Sequence, residues 1–153
     1  MECDTNILHA AYLKHAYVHA QAHSVCESQC SAILLGSMSG IVLAAENICA
    51  SSWYHATPIQ TLIYRACQRG LSCYGMDIYS PMAPTDADAI AIRESGIRSV
   101  TFHKEYMDLF DDQWETYRSL PFLEVNNVIV RCWTGHVTKK NLSVNIRGRS
   151  FQP

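Results

Sequence analysis

Apolar and weakly polar residues recur at three- and four-residue steps through the first part of the chain. Over residues 6–27 they stand in an alanine-rich background at Leu8, Tyr12, His15, His19 and His23. This period predicts a helix. Two short apolar runs follow, at 31–35 and 41–45, and a segment flanked by glycines joins them. Such runs around a flexible turn predict a β-hairpin.

The rest of the chain alternates between helical and strand patterns. A second helix is predicted from His55 to Gln68, because Pro58 is tolerated in a first turn and Gly70 supplies a stop. The later elements are strands at 74–79, 98–103 and 127–133 and helices at 86–94 and 111–125. Strand–helix alternation after an initial hairpin predicts an α/β sandwich, with one mixed sheet between layers of helices.

Length and composition agree with one domain. The chain has 153 residues, of which 48% are hydrophobic and 17% are charged, and this suffices for an ordinary core. We expect a single domain over residues 1–135, followed over 136–153 by a basic C-terminal tail or an extra edge strand. Between residues 139 and 149 the tail holds four cations and no acid. A solvated terminus is favoured; contact with a phosphate or an acidic neighbour, or a strand over 142–146 at a subunit interface, stays open.

Charge and cysteine content limit the classes of partner and the cellular compartment that we expect for this protein. A formal net charge of -2 supplies no broad phosphate-neutralising surface, so we expect no long nucleic acid as a partner, while small ligands stay open. The chain starts without the features of a signal peptide and contains no stretch resembling a membrane span, so we expect a cytoplasmic protein. The seven cysteines lack framework spacing, which favours reduced, mostly buried thiols over disulfides.

Two short motifs carry the candidate chemistry, His55-Ala56-Thr57 and Pro84-Thr85-Asp86-Ala87-Asp88. In order and spacing they resemble the H-A-E and P-C-x-x-C motifs of the cytidine/deoxycytidylate deaminase-like superfamily of zinc-dependent enzymes. The resemblance extends over residues 8–135 and is strongest to the dCMP-deaminase and tRNA-adenosine-deaminase branches. It implies a three-layer α/β/α sandwich whose mixed five-stranded sheet contains an N-terminal β-hairpin.

The resemblance also matches individual residues of the two motifs to functional residues of the zinc-dependent enzymes. His55 matches a zinc ligand, and Thr57 replaces the Glu that transfers protons. Thr85 and Asp88 replace the two Cys ligands. A threonine hydroxyl does not titrate near neutral pH, and a tight tetrahedral zinc site normally has thiolate or imidazole donors. We therefore expect no metal, no cofactor and a loss of zinc-dependent hydrolytic deamination.

A polar set remains at the expected pocket. The candidate catalytic residues, if the chain is active, are His55, Asp88, Thr57 and Thr85. The candidate ligand contacts are Asn47, Trp53, Tyr54 and Asp86. Aromatic rings stack on flat heterocycles, and a helix N-terminus favours anionic or carbonyl-bearing ligands. The structural alternative is that both threonines cap helices and that the tryptophan fills the core.

Three functions are compatible with this pattern. The favoured one is a deaminase-fold protein that no longer deaminates and binds a nucleotide or related heterocycle. The second is a metal-independent enzyme that uses His55 and Asp88 as an acid–base pair on a heterocycle. The third is a structural subunit, forming a homo-oligomer or a hetero-oligomer with an active paralogue. On the first helix, His15, His19 and His23 could bind a metal with a further group, but a polar helix face is the favoured interpretation.

Overall fold

A computed structural model describes residues 3–50, 55–110, 117–138 and 141–153. Its strands are β1 Cys3–Asp4, β2 Ser31–Gly36, β3 Gly40–Glu46, β4 Ile48–Cys49, β5 His55–Ala56, β6 Asp77–Tyr79, β7 Ser99–His103, β8 Ile129–Trp133, β9 Val144–Ile146 and β10 Arg149–Phe151. Its helices are α1 Ile7–His23, α2 Pro58–Gln68, α3 Asp86–Glu94, α4 Lys104–Met107 and α5 Leu120–Val125. Within the described ranges, no helix has the length and apolar character needed to cross a membrane.

Six strands form one mixed sheet in the order β1-β8-β7-β6-β2-β3. Strands β1, β8, β7 and β6 run parallel to one another, whereas β2 is antiparallel to both β6 and β3. The predicted mixed sheet and its hairpin are therefore confirmed. Strand β1 is an addition, in which Cys3 pairs with Cys132 and Asp4 pairs with Trp133. A strand of two residues is too short to leave an alternating pattern in the sequence.

Alternation along β2 sends its side chains into two separate cores. Ile33 and Leu35 pack in the core that contains the buried face of α1. Ala32 and Leu34 pack in the other core, together with residues of α2, α3 and α5. Because successive side chains of a strand point to opposite faces, the sheet lies between two helical layers. This arrangement confirms the predicted α/β/α sandwich.

The histidines of α1 form a polar helix face. His15 and His23 are exposed, and His19 Nε2 lies 2.9 Å from Glu46 Oε2. Hydrogen bonds from Arg65 to the same carboxylate, at 2.6 and 3.0 Å, are the main cause that lowers the pKa of Glu46 to about 2. In the part of the chain that the structure describes, no group of three or more His, Cys, Asp or Glu side chains could hold a metal ion.

The end of the chain folds into a second, two-stranded sheet. Strands β9 and β10 pair antiparallel, with Ile146 opposite Arg149, and this pair is separate from the six-stranded sheet. Val144 and Ile146 are buried in the core that contains α1. The apolar side chains of this terminal hairpin therefore take part in the main fold.

Several element boundaries differ from the predicted ones. Helix α2 begins at Pro58 rather than at His55, because Thr57 is its N-cap, and α1 ends at His23. The strand predicted at 74–79 begins only at Asp77, because Gly75 has a φ of 70° and the backbone N–H of Met76 bonds the carbonyl of Cys73. This turn keeps the preceding residues out of the sheet. Of the helix predicted at 111–125, residues 111–116 lie outside the described residues, and α5 occupies Leu120–Val125.

The expectation that the cysteines are all reduced is wrong for one pair. Cys26 and Cys49 form a disulfide, with Cα atoms 5.6 Å apart, whereas the other five cysteines carry free thiols. The bonded residues are 23 positions apart in the chain. They become neighbours because the β2–β3 hairpin returns the chain to the loop that follows α1. Spacing along the sequence does not reveal such a contact.

Candidate functional site

The first motif forms the start of helix α2. Thr57 is the N-cap, and its Oγ1 accepts a hydrogen bond from the backbone N–H of Gln60 at 3.1 Å. The Gln60 side-chain oxygen in turn accepts from the backbone N–H of Thr57 at 3.4 Å. This reciprocal pair is a capping box, and Pro58 occupies the first turn, where its missing N–H costs nothing. Thr57, which the sequence resemblance matches to the proton-transferring Glu, is thus a helix cap.

The second motif forms the start of helix α3 in the same way. Thr85 Oγ1 accepts a hydrogen bond from the backbone N–H of Asp88 at 3.2 Å. Asp88 Oδ2 accepts one from the backbone N–H of Thr85 at 2.8 Å. Asp88 is thus the third residue of a capping box and has no exposed surface. The structural alternative considered for the two threonines, helix capping, describes the contacts that they make.

One hydrogen bond joins the two helix starts. The hydroxyl of Thr57 donates to Asp88 Oδ1 at 2.5 Å, while Asp88 Oδ2 is bonded to Thr85. We call this set of Thr57, Thr85 and Asp88 the Thr–Asp bridge. Burial raises the pKa of Asp88, and the hydrogen bonds from Thr57 and Thr85 oppose that rise. Both carboxyl oxygens therefore have protein partners.

His55 lies apart from this bridge. It sits in the short strand β5, opposite Cys49 of β4, and its side chain is exposed. Among the described residues, no hydrogen bond or ion pair joins His55 to Asp88. The imidazole and the carboxyl group thus have different surroundings, one facing solvent and one enclosed.

The amide of Asn47 is bonded to the loop between α1 and β2. Its Oδ1 accepts from the hydroxyl of Ser24 at 2.6 Å and from the backbone N–H of Cys30 at 3.1 Å. Its Nδ2 donates to the carbonyl of Ser28 at 2.8 Å. Asn47 lines the cavity described below, but these bonds use its donor and acceptor groups to shape the cavity wall.

The other expected ligand contacts are Asp86, in the second motif, and the two aromatic residues before His55. Asp86 is exposed at the start of α3 and forms an ion pair with Arg118. Trp53 and Tyr54 lie outside the described residues. Their proposed contacts with a ligand stay a prediction.

A cavity of about 360 Å³ lies between the start of α2 and the residues that follow β7. Its wall combines two predicted residues, His55 and Thr57, with two aromatic side chains, Tyr106 and Phe110. The remaining lining residues are Ser28, Cys30, Asn47, Ile48, Cys49, Ala56, Pro58 and Met82. A neighbouring cavity of about 430 Å³ shares the walls formed by Met82 and Phe110 and also contacts Thr85 and Asp86.

Tyr106 and Phe110 are the lining residues that the sequence analysis missed. Tyr106 is buried, and its hydroxyl donates to the carbonyl of Gln29 at 3.2 Å, whereas Phe110 is half-buried. Their i, i+4 spacing is a signal for a short helical segment after the fourth predicted strand, because such pairs share a helix face. Helix α4 is found there, but it ends at Met107, before Phe110.

The comparisons with known proteins bear on the fold. No protein-family model and no curated protein sequence matches the chain. The solved dCMP deaminase of the cyanophage S-TIM5 is similar, with a TM-score of 0.65 and 14% identity over 84% of this chain and 99% of that one. The same enzyme in complex with dCMP and dUMP gives a TM-score of 0.67 and 13% identity, covering 84% and 98%. A guanine deaminase structure from Nitrosomonas europaea gives 0.61 and 14%, covering 88% and 79%.

The chain has the cytidine deaminase-like fold. The resemblance noted in the sequence is confirmed at this level, and identities this low concern the fold alone. In the sequence resemblance, the positions matched to zinc ligands carry one imidazole, one hydroxyl and one carboxylate. The hydroxyl of Thr85 accepts from a backbone N–H, and both oxygens of Asp88 accept from protein donors. Such a donor set does not fit a tetrahedral zinc ion, which prefers thiolates and imidazoles.

Removing the carboxylate of Asp88 should destabilise the native state. Asp88→Ala breaks two hydrogen bonds and leaves buried donors without a partner, so we expect a loss of about 3 kcal/mol in the free energy of unfolding. Chemical denaturation monitored by circular dichroism measures it. Asp86→Ala is the matched control, because it removes a carboxylate of the same helix that forms only an exposed ion pair, worth about 0–1 kcal/mol. Equal losses in the two variants would contradict the bridge.

The pH dependence of Asp88 should be opposite to that of Glu46. Burial raises the pKa of Asp88 above its unfolded value, so the native state holds that proton more tightly and the stability contributed by Asp88 increases as pH falls. The pKa of Glu46 is lowered from 4.5 to about 2, so its contribution is present above pH 4.5 and is lost towards pH 2. On acidification, the stability advantage of wild type should therefore grow over Asp88→Asn and shrink over Glu46→Gln. Parallel pH profiles for the two variants would refute this assignment.

Proposed function

We propose that this deaminase-fold protein binds a nucleotide or a related heterocycle and does not carry out zinc-dependent hydrolytic deamination. The observation that carries the proposal is the Thr–Asp bridge beside an open cavity. The bridge uses the groups at the former metal and proton-transfer positions for helix capping, while the cavity keeps a size suited to small ligands, which occupy pockets of about 300–1,000 Å³.

The lining of the cavity supports a flat ligand. The half-buried ring of Phe110 and the apolar Ile48 and Met82 offer accessible surface to a ligand, whereas the ring of Tyr106 is buried. Aromatic and aliphatic walls favour planar heterocycles because they stack and bury apolar surface at the same time. The exposed imidazole of His55 adds a group that can donate or accept a hydrogen bond. A purine or pyrimidine ring combines the required planarity with polar edges.

The chemistry available at the site argues against hydrolytic deamination. In the zinc deaminases a metal activates water and a Glu transfers protons to the ring and to the leaving amine. Here Thr57 is a neutral hydroxyl that donates to Asp88, so it offers no exchangeable proton acceptor near neutral pH. Of the side chains matched to metal ligands, those of Thr85 and Asp88 are likewise bonded to protein groups. Neither half of the mechanism has its required group.

The alternative of a metal-independent His55–Asp88 enzyme has less support. A catalytic acid or base must reach the substrate directly or through one water molecule. Asp88 has no exposed surface and does not line the cavity, so it is poorly placed to touch a ligand. The hypothesis of a structural subunit, in a homo-oligomer or with an active paralogue, stays a prediction.

The metal chemistry is tested by analysis of untagged protein. We expect well below one zinc per chain by inductively coupled plasma mass spectrometry, and no conversion of dCMP to dUMP when zinc is added. The control is the triple variant Thr57→Glu, Thr85→Cys and Asp88→Cys, which restores the donors of the deaminase motif beside His55. This variant should retain zinc. One zinc per wild-type chain would overturn the proposal for this site.

Ligand binding is tested with a panel of nucleobases, nucleosides and nucleotides, including dCMP, dUMP and guanine, by calorimetric titration. We expect at least one compound to bind, and His55→Ala to weaken it by about five- to ten-fold, the value of one hydrogen bond. His15→Ala is the control, because His15 is equally exposed but lies on α1. A panel without binding, or equal effects of the two variants, would refute the proposed pocket.

A further inference from the structure

The turn of the terminal hairpin has an unusual residue at its tip. Arg147 and Gly148 connect Ile146 to Arg149 with φ angles of 49° and 75°. Two positive φ values in a two-residue hairpin loop define a type I′ turn, in which Asn-Gly is the favoured pair. Arginine adopts the left-handed region with a conformational penalty that asparagine largely avoids. Unfavourable backbone conformations of this kind concentrate at functional sites.

Arg147 is held at the rim of the cavity by two contacts. Its backbone N–H donates to Ser28 Oγ at 3.0 Å, and its guanidinium carbon lies 4.9 Å from the ring centre of Phe110. Ser28 and Phe110 both line the cavity assigned to the heterocycle. The cation is therefore next to that cavity, although the hairpin itself belongs to the end of the chain.

A further cavity, of about 340 Å³, is lined by the same arginine. Its lining includes the guanidinium-bearing Arg147 and Arg149 and the hydroxyl-bearing Ser150. Its other lining residues are Leu109, Ile146 and Phe151, so no acid lines it among the described residues. Two guanidinium groups and a hydroxyl match the oxygens of a phosphate, because arginine donates paired hydrogen bonds in a planar fork.

The hairpin that carries these arginines is fixed before any ligand arrives. The carbonyl of Asn145 accepts from the backbone N–H of Gln29 at 2.7 Å, and the backbone N–H of Asn145 donates to Gln29 Oε1 at 2.9 Å. Val144 and Ile146 anchor the strand in the core. A cation on a rigid support loses less conformational freedom on binding, which leaves more of the interaction for affinity.

We propose that Arg147 and Arg149 bind the phosphate of a nucleotide whose base occupies the cavity next to His55. The ligand class is therefore a nucleoside phosphate rather than a free base or a nucleoside. This inference rests on the proposed function, since it needs the base in the cavity, and it adds a charged subsite built by the end of the chain.

The test compares matched ligands that differ only in the phosphate. Deoxycytidine with dCMP, and guanosine with GMP, are titrated calorimetrically against the full chain, with inorganic phosphate as a third ligand. We expect one monophosphate to bind about ten-fold or more tightly than its nucleoside, since charge-assisted hydrogen bonds are involved. Inorganic phosphate alone should bind more weakly than that monophosphate.

The informative variant is Arg147→Asn. Asparagine suits a type I′ turn, so the hairpin should stay folded while the cation is lost, and the preference for the monophosphate should fall about ten-fold with nucleoside binding unchanged. Arg69→Asn is the control, because Arg69 is exposed at the end of α2. Thermal denaturation of both variants checks that each remains folded.

The outcomes separate this inference from the proposed function. If a nucleoside and its monophosphate bind with equal affinity, the phosphate subsite is refuted, while the proposed base pocket is not. A monophosphate preference that survives in the Arg147→Asn, Arg149→Asn double variant would overturn the phosphate subsite too. If inorganic phosphate binds as tightly as the monophosphate, the base adds nothing to binding at the two arginines. That result would refute the proposal that one nucleotide occupies the base pocket and the arginine site together. No binding by any ligand would overturn both proposals.

Discussion

The structure depends most on one buried carboxyl group, which belongs to Asp88 and stands between the N-termini of α2 and α3. A buried acid is costly unless donors surround it, and here the Thr57 hydroxyl and the Thr85 backbone N–H supply them. The positive ends of two helix dipoles add to that stabilisation. Each donor comes from a capping residue, so the contacts that satisfy the acid also start the helices. Helix capping and charge burial thus stabilise each other.

The position of the cavity follows from this bridge through a series of local contacts. The bridge fixes the start of α2, and α2 follows directly on β5, which carries His55. Strand β5 pairs with β4, where Cys49 is bonded to Cys26 of the loop after α1. Ser28 of that loop accepts a hydrogen bond from Arg147 of the terminal hairpin. The two helix starts, the cavity wall and the terminal hairpin are therefore linked by a continuous series of contacts, although they are distant in sequence.

The features that could be predicted from the sequence are those with a local cause. Along β2, Ile33 and Leu35 alternate with their neighbours, and this alternation determines which side chains enter each face of the sheet. The position of Thr57, and the three-residue spacing from Thr85 to Asp88, determine the two helix caps. The missed features arise from contacts between distant segments. The Cys26–Cys49 disulfide forms only after the hairpin folds back. The terminal hairpin is recognisable only once Val144 and Ile146 have a core to enter. Polar residues at a motif also have two possible uses, capping or catalysis, and the sequence does not distinguish them.

In the proposed function, the groups matched to metal donors form hydrogen bonds instead, and this changes what the site would recognise. A metal-bound hydroxide selects one reactive carbon of a ring, whereas the present cavity presents an aromatic wall and the exposed imidazole of His55. The amide of Asn47, which lines the cavity, is bonded to the protein. Discrimination then depends on planarity, size and the charge at the rim, where Arg147 lies over Phe110. We therefore expect the proposed site to distinguish classes of ligand, a phosphorylated heterocycle from a neutral one, more sharply than it distinguishes one base from another.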